Sequence, residues 1–313
     1  MKGWINMEGI SRVPGLGWIR DYPDYRDYRI DKTDIPQKHK ALGVKRSIKE
    51  NLTALKVIGS PAPALPATID LRQWCSPIED QMNLGSCTAN AAAGIVEYFE
   101  RRAFGNYINA SRLFIYKTTR DLLGWTGDTG AFLRSTMGSL VLFGVPPETY
   151  WPYDVTKFDI EPSSFLYAFA ANNQALSYNR LDQSGLSTAD LLKRIKVFLS
   201  GGLPSIFGFT VFSSYNQTGV NKGKFPFPVK GETIVGGHAV LAIGYDDSLV
   251  IQNADPTATP TTGALLIRNS WGTNWGDSGY GWLPYDYVLQ SMAVDWWSLI
   301  KSEWVDTKQF GLT

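Results

Sequence analysis

The order of patterns along the chain predicts an α+β protein with a helical half and a sheet half. Stretches with the three-and-four apolar spacing of amphipathic helices occur within residues 86–143 and again at 187–199. From residue 203 onward, short β-rich runs alternate with clusters of Gly, Asp and Pro, which is typical of strands and their turns. Helices followed by strands favour an α+β architecture, and a cleft between two such halves is a natural substrate groove.

The first predicted helix runs from Ser86 to the arginine pair at 101–102. Cys87 falls in its first turn, where unpaired backbone N–H groups and the helix dipole lower the pKa of a thiol toward a reactive thiolate. The stripe that this helix would bury consists of Ala89, Ala92, Ala93, Val96 and Phe99. Two interpretations of Cys87 are open at this point, a nucleophile and a small buried cysteine.

The remaining elements are predicted from caps, stops and strand-like runs. Ser111 and Ser187 stand at N-cap positions, and glycines follow the last two helices. The predicted helices are at residues 111–122, 132–143 and 187–199. The predicted strands are at residues 203–211, 238–246, 249–252, 264–269 and 280–289.

Composition excludes several classes of protein. The 30 basic and 29 acidic residues nearly cancel, so no nucleic acid or anionic membrane is expected as a partner. No run of eighteen apolar residues is present, so no membrane span is expected. The N-terminus lacks the apolar core of a secretory signal, which leaves open a cytoplasmic location or secretion with the signal already absent.

Cysteine and histidine are scarce, which narrows the possible chemistry. The chain has only Cys75, Cys87, His39 and His238, too few for a CxxC-type zinc or redox site or a histidine-rich metal centre. We therefore expect no metal and no other cofactor. A Cys75–Cys87 disulfide is conceivable by count, but it would consume the candidate nucleophile.

The predicted strands supply partners for Cys87. His238 opens an apolar strand after two glycines, and Asn269 begins the run NSWG, where its amide oxygen could accept the second imidazole N–H. Trp271 beside it could shield that bond from water, and Gln81 could donate to a developing oxyanion together with the Cys87 amide. The alternatives are a turn asparagine, core tryptophans and a satisfied buried histidine.

Together these motifs resemble the papain-like, cathepsin-type cysteine proteases over about residues 67–313. The matching residues are Asp70, Leu71, Arg72, Asp80, Gln81, Gly85, Ser86, Cys87, Gly130, Phe132, Gly144, Val145, Tyr150, Pro152, Tyr153, Gly237, His238, Ala239, Val240, Gly244, Tyr245 and the run NSWGTNWGDSGYG at 269–281. The resemblance implies a papain-like two-subdomain fold, with a helical left half, an antiparallel β-barrel-like right half and the active site between them. Thr88 replaces the aromatic residue usual after the nucleophile, and Leu84 replaces a cysteine, so one family disulfide is missing, which suggests a microbial member.

The resemblance also implies an activity and a set of site residues. It implies a monomeric endopeptidase that hydrolyses peptides or proteins through a thiolate and an acyl-enzyme, with Cys87, His238, Asn269 and Gln81 as the catalytic residues. The implied substrate-binding residues are Gly130, Ala131, Phe132, Leu133, Gly208, Gly237, Ala239 and Trp271. Two alternatives are a transpeptidase or ligase using the same thioester, and a catalytically idle binding protein that keeps the fold.

Residues 1–66 differ from the predicted catalytic domain at 67–313. They are rich in Tyr, Asp, Arg and Lys and end in a Pro/Ala linker at 60–66. The resemblance implies a propeptide-like segment that covers the cleft and inhibits the enzyme. The alternatives are a partly disordered tail and a permanent part of the fold, with Trp18, Tyr22 and Tyr25 packed on the catalytic domain.

Overall fold

The computed structural model describes residues 15–35, 37–41, 43–59, 61, 64–174, 177–219 and 221–312. Within these residues the helices are α1 Gln37–Ala41, α2 Ile48–Ala54, α3 Cys87–Phe104, α4 Arg112–Leu123, α5 Leu133–Leu142, α6 Ser164–Ala170, α7 Thr188–Ser200, α8 Tyr285–Leu289 and α9 Ser302–Asp306. The strands are β1 Thr68–Asp70, β2 Ser177–Arg180, β3 Ser205–Phe212, β4 Ile234–Ile251, β5 Thr261–Arg268, β6 Tyr280–Pro284 and β7 Ala293–Ile300. Residues 1–14 lie outside the described residues, as do residues 60, 62 and 63 of the Pro/Ala linker.

The strands form one antiparallel sheet with the order β2-β7-β3-β4-β5-β6, and β1 pairs with β4 off this path. The predicted α+β class is confirmed, with three long helices preceding most of the sheet. The sheet is not closed into a barrel, because the outer strands β2 and β6 do not pair with each other in the described part of the chain. The central strands β3 and β4 place Phe209 opposite His238 and Gly208 opposite Ala239.

Helix α3 joins the two halves of the fold. It packs against strand β4 on one side and helix α4 on another. Its predicted apolar stripe is buried, from Ala89 to Phe99. The helix begins after Ser86 and ends at Gly105, whose left-handed φ of 77° suits glycine at this position. This burial fixes the position of Cys87, the first residue of the helix.

Two strand predictions differ from the structure. The run at 280–289 is only half a strand, because β6 ends at Pro284 and helix α8 follows with Tyr287 and Val288 buried on one side. The runs at 238–246 and 249–252 belong to one long strand, β4. Strand β7 was not predicted, since its nearly continuous burial removes the polar alternation on which strand prediction depends.

The described part of the 1–66 segment packs along the rest of the chain. Trp18 is only 7% exposed, and helix α2 buries Ile48 and Leu52. A disordered tail is therefore wrong for these residues. The expectation that Tyr22 and Tyr25 pack on the catalytic domain is also wrong, since they are 69% and 95% exposed. Their exposure leaves Trp18 as the aromatic anchor of this stretch.

The remaining composition-based expectations concern membranes and disulfides. None of the helices in the described residues is long and apolar enough to cross a membrane. Cys75 and Cys87 are both buried and both free. The conceivable disulfide between them is not formed, so the thiol of Cys87 is available for chemistry.

Candidate active site

Cys87 lies at the N-terminus of α3, where the helix meets strand β4. Its side chain is completely buried, and backbone groups of Ala239, Gly17, Thr88 and Trp18 lie close enough to its sulfur to favour the thiolate. Burial raises the pKa of the Cys87 thiol to about 11, and those backbone groups offset the rise only in part. While Cys87 is buried in this way, its thiol is therefore protonated at neutral pH.

His238 lies on β4 one residue before Ala239 and is also completely buried. Its Nε2 lies 2.7 Å from Oδ1 of Asn269, and the backbone N–H of Ser270 donates to the same oxygen at 2.8 Å. Since that N–H identifies the atom as the amide oxygen, Nε2 must carry the proton, which leaves Nδ1 with a free lone pair. Nδ1 is buried and has no hydrogen-bond partner among the described residues, so it is free to act as a base.

The environment of His238 favours its neutral form. Burial lowers the pKa of His238 to about 4, and the hydrogen bond to Asn269 opposes that change. The indole of Trp271 stacks on the imidazole, with ring centroids 4.6 Å apart and an angle of 26° between the planes. Trp271 thus shields the bond between His238 and Asn269 from water.

Gln81 is oriented by Ser270, a residue that the sequence analysis did not single out. The Ser270 hydroxyl donates to Oε1 of Gln81 at 2.6 Å, and the backbone N–H of Gln81 donates to the Ser270 carbonyl at 2.8 Å. The side-chain nitrogen of Gln81 is thereby turned the other way, donating to Leu84 O at 2.9 Å and Gly15 O at 2.6 Å. The only sequence signal for Ser270 is its position beside Asn269.

Residues 15–19, here called the cleft strand, cross the site. The backbone N–H of Ala131 donates to the carbonyl oxygen of Gly17 at 2.8 Å. The N–H of Ile19 donates in turn to the carbonyl oxygen of Ala131 at 3.1 Å. On the other wall, Trp18 N donates to Gly237 O at 3.2 Å. A Cβ atom added to Gly17 would overlap the backbone of Gly85, so the cleft strand lies directly against the loop before α3.

The structure brings four of the eight expected substrate-binding residues to the cleft strand. Gly130, Ala131, Gly208 and Gly237 contact it, because a Cβ added to any of the three glycines would overlap Gly17 or Trp18. Ala239 reaches the sulfur of Cys87, and Trp271 stacks on His238. Phe132 contacts Trp125, and Leu133 is buried in the same core cluster as Trp18, so their assignment to the pocket stays a prediction.

Other residues around the cleft strand had not been predicted. The indole N–H of Trp18 donates to Oδ2 of Asp295 at 3.0 Å. Arg134 donates to Asp21 at 2.7 Å and forms an ion pair with Asp27. These contacts join residues more than a hundred positions apart, so no local pattern signals them. In the described residues, no group of three His, Cys, Asp or Glu side chains could hold a metal ion.

Comparison with known proteins agrees with this geometry. Residues 65–291 match the family described as papain family cysteine protease. An uncharacterised peptidase C1-like protein of Acanthamoeba polyphaga mimivirus is 35% identical over 92% of this chain and 86% of its own length. The crystal structure of xylellain, a cysteine protease from Xylella fastidiosa, matches with a TM-score of 0.67 and 31% identity over 94% of this chain and 98% of that one.

A more distant structure supports the fold alone. The digestive procathepsin L 3 of Tenebrio molitor larval midgut matches with a TM-score of 0.57 and 17% identity, covering 81% of this chain and 78% of that one. The match therefore agrees with the observed arrangement of helices and sheet. The family match covers most of the chain and includes Cys87, His238 and Asn269. The chain belongs to the papain family of cysteine proteases and is a peptide hydrolase.

Proposed function

We propose that this protein is an endopeptidase that works through Cys87, His238 and Asn269 and is made as an autoinhibited zymogen. Residues 67–313 form the catalytic domain, and residues 1–66 form the inhibitory segment. The observation that carries the proposal is the path of the cleft strand, which buries Cys87 completely and engages the side chain of Gln81. Every side chain that the mechanism needs comes from one chain, which supports a monomeric enzyme.

The proposed mechanism is acyl transfer to water. Nδ1 of His238 takes the proton of the Cys87 thiol, and the sulfur attacks the carbonyl carbon of a peptide bond. The side-chain nitrogen of Gln81 and the backbone N–H of Cys87 hold the oxyanion, and the imidazolium then protonates the leaving amine. Water hydrolyses the resulting thioester, while Asn269 keeps the imidazole in the tautomer with Nδ1 facing the sulfur.

The nucleophile becomes active only when the cleft strand leaves. Burial holds Cys87 as a thiol and His238 as a neutral imidazole. Removing the cleft strand admits water, which lowers the cost of charging both groups, and an imidazolium beside a thiol lowers the pKa of that thiol. Proton transfer from Cys87 to His238 is thus favoured in the open enzyme and suppressed in the closed one.

The backbone of the cleft strand is placed for inhibition rather than for cleavage. Attack requires one peptide group to present its carbonyl carbon to the sulfur and its oxygen to Gln81. Here the oxygen at Gln81 belongs to Gly15, whereas the groups of the cleft strand that lie at the sulfur and lower the pKa of the thiol belong to Gly17 and Trp18. Because the two requirements fall on different peptide groups, the cleft strand occupies the site as a poor substrate.

Residues 21–27, which follow the cleft strand, attach this part of the segment to the rest of the protein. Arg134 on α5 binds Asp21, Asp27 and, at 2.6 Å, the carbonyl oxygen of Tyr22. Arg180 donates to the carbonyl oxygen of Asp21 at 3.0 Å. These contacts are polar and partly exposed, which suits an attachment that must be reversed when the enzyme is activated.

Intact mass spectrometry with a thiol-directed epoxide tests the proposal. The wild-type chain and Cys87→Ala would be incubated in a reducing, mildly acidic buffer, and the mass of each would be followed over time. We expect one label on the wild-type chain together with loss of its first sixty-odd residues, and neither event in Cys87→Ala. A folded chain whose Cys87 stays unlabelled after the segment has been removed by an added protease would contradict the proposal and favour an idle binding protein.

A further inference from the structure

The indole of Trp18 fills a pocket beside the catalytic cysteine. Gly208 on β3 and Gly237 on β4 form two of its walls, since a Cβ atom on either would overlap Trp18. The indole N–H points to the floor of the pocket, where it donates to Oδ2 of Asp295 at 3.0 Å. Trp18 is only 7% exposed, so the pocket accommodates an indole almost completely.

Asp295 is held rigidly at this floor by the sheet. It lies on β7 with a left-handed φ of 62°, and its backbone N–H donates to Asp182 at 2.7 Å. Its other oxygen, Oδ1, accepts from the indole N–H of Trp297 at 2.7 Å and lies 3.4 Å from a guanidinium nitrogen of Arg180. Oδ1 is thus bound by permanent neighbours, whereas the partner of Oδ2 among the described residues is Trp18.

Once the cleft strand has left, a substrate side chain without an N–H group that fills the pocket would bury Oδ2 of Asp295 without a donor. A buried acceptor that loses its hydrogen bond carries a desolvation cost, which an incoming N–H group would relieve. We propose that Asp295 makes this pocket select tryptophan over phenylalanine in the substrate residue that takes the place of Trp18. This inference rests on the proposed peptidase function and adds a substrate preference to it.

The shape and charge of the pocket favour an indole over a basic side chain. Two glycines leave flat walls that match a ring system, as the position of Trp18 demonstrates. Arg180 lies beside Asp295 and also pairs with Asp182 at 2.9 Å, so it places positive charge next to the floor. A second cation entering the pocket would meet that guanidinium, whereas a neutral N–H donor would not.

The discrimination is expected to be large for a difference of one N–H group. A site built around a hydrogen bond rejects an analogue that lacks the donor, because its own buried polar group is left unpaired. The acceptor here is a carboxylate, and charge-assisted hydrogen bonds are about twice as strong as neutral ones. We expect kcat/KM for a tryptophan peptide to exceed that for the matched phenylalanine peptide by about tenfold or more.

The test uses the full-length chain carrying Gly17→Ala, which opens the site because the new Cβ would overlap the backbone of Gly85. Paired peptides would differ only by Trp or Phe at the second residue before the cleaved bond, the position that the family resemblance assigns to the pocket at Gly208 and Ala239. The assay is run at pH 8, since burial raises the pKa of Asp295 to about 7 and the carboxylate must be ionised. The Trp peptide should be cleaved with the higher kcat/KM.

Adding Asp295→Asn to the same chain should abolish the preference. The two indole donors bind different oxygens of Asp295, so an amide can accept from only one of them. With its oxygen toward Trp297, the amide turns its NH2 group toward the pocket and opposes an indole N–H. The matched control is Asp255→Asn, a half-buried residue whose side chain accepts only from Thr257 in the described structure, which should keep the preference.

Each outcome decides between the two proposals. Equal rates for the two peptides in the Gly17→Ala chain, or an unchanged ratio in its Asp295→Asn derivative, would overturn the role of Asp295 and leave the peptidase function intact. No cleavage of either peptide by the Gly17→Ala chain would overturn both, provided that the epoxide labels Cys87 in a separate sample of that chain and so shows that the site is open. If Asp295→Asn does not fold, Trp18→Phe in the otherwise unchanged chain replaces it. That variant should raise the rate of Cys87 alkylation about tenfold, and an unchanged rate would overturn the inference.

Discussion

The side-chain nitrogen of Gln81 donates a hydrogen bond of 2.6 Å to the carbonyl oxygen of Gly15. The amide assigned to the oxyanion in the proposed mechanism is therefore already occupied by a carbonyl of the same chain. The neighbouring residues Gly17 and Trp18 cover the sulfur of Cys87. The proposed inhibition uses the groups that would bind a substrate, so loosening residues 15–19 should restore access to all of them together.

Gly17→Ala should open the site of the full-length chain. The added methyl group would overlap the backbone of Gly85, and neither backbone can give way as a flexible side chain would. Such overlaps typically cost about 1–3 kcal/mol, which corresponds to a rise of roughly tenfold or more in the alkylation rate of Cys87. The matched control is Gly138→Ala, since a Cβ there meets nothing within 4 Å. Equal alkylation rates in the two variants would contradict the autoinhibited arrangement.

Arg134→Gln should loosen the same segment from a distance. Arg134 is the closest cation to Asp27, whose side chain is only 5% exposed, and it also binds Asp21. Leaving a nearly buried carboxylate without this partner is costly, so we expect Cys87 alkylation to accelerate by about tenfold. Arg26→Gln is the control, because Arg26 is 70% exposed and pairs with Asp24 within the segment itself. An equal effect of both variants would indicate a general loss of positive charge instead.

The candidate catalytic residues could be predicted because each lies in a short motif with its own chemistry. A cysteine in the first turn of an amphipathic helix and a histidine opening an apolar strand depend mainly on local sequence. The observed α3 begins at Cys87, as predicted, whereas β4 begins at Ile234, so His238 lies inside that strand and does not open it. Local patterns thus placed both candidate residues on the correct elements, and their roles are those that the resemblance implies.

The pocket floor could not be predicted, because it depends on pairing between distant strands. Asp295 reaches Trp18 only through the contact of β7 with β3, where the register shifts between Ile206 and Gly208. Strand β7 is buried along almost its whole length and so lacks the alternation of a half-exposed strand. The path of residues 15–19 could not be predicted from the sequence either, since its partners Ala131 and Gly237 lie more than a hundred positions away along the chain.

Ser270→Ala should lower kcat indirectly, because Ser270 orients the side chain of Gln81 and does not itself bind the substrate. The Ser270 hydroxyl donates to Oε1 of Gln81 at 2.6 Å and so keeps the side-chain nitrogen turned toward the cleft. In the Gly17→Ala chain we expect kcat to fall about three- to tenfold, with KM nearly unchanged, as suits the loss of one orienting hydrogen bond. Gln81→Ala should cost more, on the order of 10²–10³ in kcat. A fall in Ser270→Ala as large as that in Gln81→Ala would contradict a purely orienting role.

Acidification should loosen the cleft strand through His238. In the closed chain, burial lowers the pKa of His238 to about 4, whereas an exposed histidine titrates near 6.5. Between these two values the open state binds a proton that the closed state excludes, so opening becomes easier as the pH falls, by up to about tenfold per pH unit. Hydrogen exchange of residues 15–19 in Cys87→Ala measures this without interference from the thiol. Asp295 at Trp18, whose pKa burial raises to about 7, opposes the effect over the same range, so the contribution of His238 is obtained by comparison with a variant that lacks it. In the double variant Cys87→Ala/His238→Gln, the contribution of His238 is absent, so protection should decrease less steeply. Identical pH dependence in the two chains would show that another group, such as Asp295 at the Trp18 indole, controls the opening.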